Sequence, residues 1–157
     1  MRSELARWGL LPMRLLIGYG FMEHGLAKLS RGPDTFARIL EQLAVPMPHL
    51  AAWLTIGTEV LGGLALFLGV FVAWASIPTA IVLLAAMVTV HLRYGFSSVR
   101  LLSISPSGAQ FGPVGYEIDL LYLAALLVIA SQGPGPLSIG RMLRPKVHAA
   151  EERAGSH

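Results

Sequence analysis

The chain contains no cysteine. That excludes a disulfide framework, a thiolate metal site and a thiol relay within the chain. Charge is scarce too. Only 13% of the 157 residues are charged, where a soluble domain carries roughly 25%. A disordered chain needs the opposite composition, so disorder is excluded. The net charge is +3 and the pI about 9.7, but the basic residues are scattered rather than striped, and nucleic acid is not an expected partner. There is no dinucleotide fingerprint and no phosphate loop. Internal repeats are absent, as is the strict polar/apolar alternation of a membrane barrel.

What the chain has instead is apolar length. Hydrophobic residues make up 54%, and the mean hydropathy is +0.62. A membrane-spanning helix needs about 20 mostly apolar residues. Four stretches reach or approach that length: 8–29, 49–71, 74–92 and 115–131. The second and third are joined by a tight turn at 69–73, which makes them antiparallel neighbours. The fold expected is an all-α membrane protein, an antiparallel four-transmembrane-helix bundle over 1–144, followed by a charged tail over 145–157. The first stretch reads as a retained helix rather than a cleaved signal, because Arg14 interrupts its apolar run.

Between the first two stretches, Gly32-Pro33-Asp34-Thr35 is a helix-start signal. Phe36, Ile39, Leu40 and Leu43 come next at helical spacing, with Arg38, Glu41 and Gln42 between them. This predicts a short amphipathic helix at the membrane surface, ended by Pro46 and Pro48. The long 93–114 connection mixes Ser, Gly and Pro with Val99, Leu101, Leu102 and Phe111. Part of it is expected to fold back over the bundle. Four helices put both termini on one side, with Arg2, Arg7, Arg141, Arg144, Lys146 and Arg153. The other side holds Lys28, Arg31, Arg38, Arg93 and Arg100. The slight excess favours cytoplasmic termini. Trp8, Trp53, Trp74 and Tyr94 read as interfacial aromatic belts.

Ionisable groups inside apolar segments are costly and mark candidate functional positions. The first segment holds Arg14, Glu23, His24 and Lys28, the second Glu59, the third ends at His91, and the fourth opens with Glu117 and Asp119. Helix connectivity puts His24, Lys28, Glu59, His91 and Glu117 in the same half of the bilayer, where both larger loops also lie. This grouping predicts a polar pocket capped by loops. At about 100° per residue, Arg14, His24 and Lys28 fall within roughly 80° of one another. Gly18 and Gly25 share that face, where small residues permit close helix contact. A mid-membrane carboxylate such as Glu59 requires a cationic or protonated partner. Arg14 is one candidate for it, as a buried ion pair with Glu59 or Glu117. Glu23, Arg93 and Asp119 read as solvated or interfacial; Asp119 lies roughly 160° from Glu117 around its helix.

Several ordered stretches together resemble the DoxX family of small four-helix membrane proteins. They are 14–18 (RLLIG), 21–29 (FMEHGLAKL), 59–69 (EVLGGLALFLG), His91, Gly95-Phe96, Gly115-Tyr116-Glu117 and 133–138 (GPGPLS). One departure is Gly140, where the family often carries Asp. The resemblance implies a multi-pass protein of the prokaryotic cytoplasmic membrane, associated with oxidoreductase systems and with quinone as an electron acceptor. On that reading His24, Lys28 and His91 could donate to quinone carbonyls, Glu59 and Glu117 could relay protons, and Arg14 could hold a carboxylate ionised. Electrons would come from a protein partner in a membrane complex. The alternative is a structural or assembly subunit, whose polar cluster fixes helix packing. His24 and His91 as haem ligands is a weaker reading, with no attachment motif to support it.

Overall fold

A computed structural model describes residues 2–142, and the chain is mostly helical there. The tail from residue 145 lies outside the described residues, as do Arg144, Lys146 and Arg153. Helix α1 spans Arg2–Arg31 and ends at Gly32. It starts earlier than the apolar stretch does, because charged residues such as Arg and Glu are good helix formers and hydropathy does not detect them. Helix α2 spans Pro33–Gln42, with proline in its first turn. That position suits proline, which has no N–H to leave unsatisfied.

Helix α3 spans Pro48–Leu68 and helix α4 spans Val72–Tyr94. Both are long and apolar enough to cross a membrane. Each is α-helical except for one π-helical turn, Thr58–Gly62 in α3 and Met87–His91 in α4, and α4 closes on a 3₁₀ turn, Leu92–Tyr94. The turn between them begins at Gly69, which adopts φ 72°. Val70 N–H there bonds back to the Ala65 carbonyl at 2.9 Å, a left-handed helix stop that favours glycine. Helix α5 spans Glu117–Gln132. Its 16 residues fall short of the usual spanning length. A short helix, α6, spans Ile139–Met142.

Helices α1, α3, α4 and α5 share one core, built from Ile17, Phe21, Leu66, Val72, Leu126 and Ile129. Glycine sets the spacing of α1 against α3. A Cβ on Gly63 would sit 2.7 Å from the Gly18 carbonyl oxygen, and one on Gly18 2.6 Å from the Phe67 nitrogen. A Cβ on Gly25 would meet Val60 at 2.7 Å. Gly62 faces the other way, with Thr79 of α4 at 2.7 Å from its would-be Cβ. The glycine pair therefore admits a neighbour on each side of α3. Between α1 and α5, the Phe21 and Tyr122 rings meet edge to face at 5.7 Å. Trp8, Trp53 and Trp74 are exposed, and Tyr94 is half-buried.

One expectation is corrected here. The fold is not purely helical, because the 93–114 connection contains an antiparallel hairpin, β1 (Leu101–Ser105) with β2 (Gly108–Phe111). Leu102-Ser103-Ile104-Ser105 alternates apolar and polar, and Pro106-Ser107-Gly108 supplies the turn, a strand signal only a few residues long. The hairpin does not cover the helices; its side chains are largely exposed. The apolar face of α2, with Phe36, Ile39, Leu40 and Leu43, lines a cavity between the helices.

Candidate functional site

Below α2 lies a cavity of about 530 Å³. Its walls come from α1, α2, α3, α4 and α5, and most of its lining is apolar, including Phe21, Leu40, Leu83 and Val90. The N-terminal part of α3 packs mainly on α1 and α2, while α4 packs on α5. The two helices separate from their tight turn toward this end, and the cavity occupies the space between them. The polar side chains in the wall include His24, Lys28, Glu59, His91 and Asp119.

Four of those groups form two pairs. Lys28 Nζ donates to both Glu59 oxygens, each at 2.6 Å. Glu59 is buried and Lys28 is partly buried. The Phe36 ring of α2 covers the ammonium, with its centroid 5.3 Å from Nζ. A carboxylate with no cation at this depth would carry a large desolvation cost. The ion pair relieves it, and a cation–π contact from the roof adds to it. In the second pair His91 Nδ1 lies 2.6 Å from Asp119 Oδ2, with Asp119 buried. A carboxylate accepts, so Nδ1 presents its N–H to Asp119. The carboxylate thus fixes the tautomer of the ring.

Local backbone presents both pairs. Glu59 lies in the π turn of α3 and His91 in the π turn of α4. A π turn inserts one residue and rotates the rest of the helix out of its earlier register, and such turns recur at functional sites. A uniform 100° wheel does not hold across them. Glu59 and Gly63 face α1, where Lys28, Gly18 and Met22 lie, while Gly62 faces Thr79 of α4.

The remaining candidates lie elsewhere. Glu117 Oε2 accepts the Ser98 backbone N–H at 3.0 Å, which ties the start of α5 to the loop after α4; it is not part of the cavity wall. Arg14 is buried toward the opposite end of the helices. It donates to the carbonyl oxygens of Pro134 and Leu137, the latter at 3.1 Å. Its partners are carbonyls, not Glu59 or Glu117. With Gly140 N–H bonded to the Gly69 carbonyl at 3.3 Å, it pins the 133–140 segment across the turn between α3 and α4.

The sequence alone reads Asp119 as solvated or interfacial, whereas the structure buries it against His91. Glu117 and Asp119 face opposite sides of α5, so only one can face the cavity. The signal that would have found it is helical: Asp119, Tyr122 and Leu126 share one face, and that face is the packed one. Among the described residues no three His, Asp or Glu side chains converge to hold a metal ion.

The DoxX family model matches residues 9–92, which include His24, Lys28, Glu59 and His91 and stop short of Asp119. An uncharacterized protein of Haemophilus influenzae Rd is 26% identical over 139 residues, covering 86% of this chain and 83% of its own length. No solved structure matches the chain.

Proposed function

The chain belongs to the DoxX family, and from that premise we propose that it is a four-span protein of the cytoplasmic membrane, with both termini cytoplasmic, that serves an oxidoreductase system by holding the head group of a membrane-dissolved quinone. The observation that carries this reading is the placement of two nitrogen–carboxylate pairs in the wall of an otherwise apolar cavity. A quinone needs an apolar slot, hydrogen-bond donors at its carbonyls, and a source of protons. Phe21, Leu40, Leu83 and their neighbours supply the slot. Lys28 and His24 supply donors. His91, oriented by Asp119, exchanges a proton at its ring nitrogen.

Reduction of a quinone to a quinol consumes two electrons and two protons. The electrons come from a redox protein that partners the chain in the membrane. The protons pass through His91 and the Lys28–Glu59 pair. Glu117 takes no part in this account, since it anchors a loop. Arg14 supports the fold from the other end.

The test uses the chain purified with its native partners from its own membrane. Glu59→Gln and His91→Ala should each abolish reduction of an added short-tailed quinone while the protein still inserts. Unchanged activity in both variants ends the reading.

A second reading has its own support. Gly18, Gly25 and Gly63 bring α1 and α3 into close contact beside the Lys28–Glu59 pair, which fits an assembly subunit whose ion pair fixes helix packing. In that case Glu59→Gln lowers the recovery of the complex and leaves turnover per complex unchanged.

A further inference from the structure

The hairpin β1–β2 contributes nothing to the cavity, and its pairing register gives it two unlike faces. Leu101 pairs with Phe111 and Ile104 with Ala109, while Ser103 pairs with Gln110 and Ser105 with Gly108. A bulge falls between Leu101 and Ser103. Simple alternation would put Leu101 on the face of Ser103. The extra residue moves it to the face of Ile104 and Phe111. One face is therefore Leu101, Ile104, Ala109 and Phe111. The other is polar, with Ser103 Oγ donating to Gln110 Oε1 at 3.1 Å.

The apolar face has no partner among the described residues. Ile104 is 77% exposed and Phe111 62%. A two-stranded hairpin is marginally stable alone in water, so such a face needs a cover. The local charge indicates which. Residues 93–116 hold Arg93 and Arg100 and no Asp or Glu. Both arginines gather at Tyr94, the last residue of α4. Arg93 stacks on its ring at 4.8 Å, and Arg100 donates to its carbonyl at 3.3 Å. A cationic collar thus joins the end of an apolar helix to an amphipathic hairpin.

We propose that this hairpin is a membrane-interface anchor. Leu101, Ile104 and Phe111 lie in the boundary between headgroups and acyl chains of the chain's own bilayer, and Arg93 and Arg100 engage anionic phospholipid headgroups. A strand of this length reaches about 15 Å, enough to lie along the interface from the end of α4. The proposal rests on α4 crossing the membrane and is independent of what the cavity binds.

The absence of cysteine makes single-site labelling direct. The full chain is placed in nanodiscs of phosphatidylcholine, with or without phosphatidylglycerol. An environment-sensitive fluorophore is attached at Ile104→Cys, Phe111→Cys, Gln110→Cys or, within α4, Ile81→Cys. Brominated lipid serves as quencher. In anionic nanodiscs the labels at 104 and 111 should be quenched several times more than the label at 110. Arg100→Gln should lower the ratio of docked to free hairpin about fivefold. If 81 is quenched while 104 and 111 remain water-like, α4 spans and the anchor proposal fails alone. If 81 is not quenched, the spanning premise fails with it. Protection at 104 that depends on protein concentration rather than anionic lipid assigns the face to a second copy and overturns the proposal.

Discussion

His91 and Asp119 are 28 residues apart in the chain and 2.6 Å apart in the structure. The pair joins α4 to α5 across the cavity wall, and it gives an imidazole a fixed tautomer where a ligand would bind. A carboxylate behind an imidazole both orients the ring and stabilises it when protonated, and removing that support costs proton-transfer catalysis heavily. The proposed chemistry therefore depends on Asp119 as much as on His91.

Asp119→Asn keeps the volume and removes the charge that accepts from Nδ1. Partner-dependent quinone reduction should fall about 100-fold, the scale of a lost general acid–base group. Glu117→Gln is the matched control. It weakens one hydrogen bond to the Ser98 N–H and should leave the rate unchanged. Steady-state turnover of the purified complex checks both.

Lys28→Met strands the Glu59 carboxylate in the cavity wall. Loss of one partner from a buried ion pair costs roughly 3–5 kcal/mol, and the melting temperature in detergent should drop sharply. Adding Glu59→Met to the same chain should recover most of the loss, because an apolar pair of similar volume carries no uncompensated charge. Thermal unfolding of the single and double variants measures the coupling directly.

The glycines make opposite predictions at different positions. Gly63→Leu drives a side chain into the α1 backbone, and folding yield should collapse. Gly57→Ala has open space around it and should stabilise α3 by roughly 0.5 kcal/mol. Yield and melting temperature distinguish the two.

Arg14→Lys should destabilise the fold without altering ligand binding. A planar fork that reaches two carbonyls is replaced by a single ammonium, which cannot reproduce the geometry. The expected result is earlier proteolysis of the 133–138 segment, read by limited digestion, with quinone affinity unchanged.

Much of the cavity was legible in the sequence because helix connectivity alone sorts residues by depth. That sorting groups His24, Lys28, Glu59 and His91, which line one cavity, and burial of Glu59 calls for a cationic or protonated partner. It does not single out Lys28 as that partner, because a lysine near a helix end can equally snorkel to the headgroups. Depth puts Glu117 and Asp119 at nearly the same level of α5, and only the packed face of that helix separates them. Arg14 found carbonyls at a helix end rather than a carboxylate, a partner that leaves no mark in side-chain composition. The hairpin escaped because its alternation is short, and its bulge at Leu101/Ser103 disguises which residues share a face.

The central claim is that the cavity beneath α2 receives a quinone head group. The most direct measurement is photo-crosslinking of a short-tailed quinone bearing a photoreactive group to the full chain in lipid nanodiscs, with the modified residues mapped by mass spectrometry. The account predicts modification confined to the cavity wall, at residues such as Phe36 and Leu40 of α2 and Leu83 and Val90 of α4, and suppressed by excess unlabelled quinone. Modification spread over outward-facing residues such as Leu16, Trp74 and Leu127, and indifferent to competitor, would contradict it.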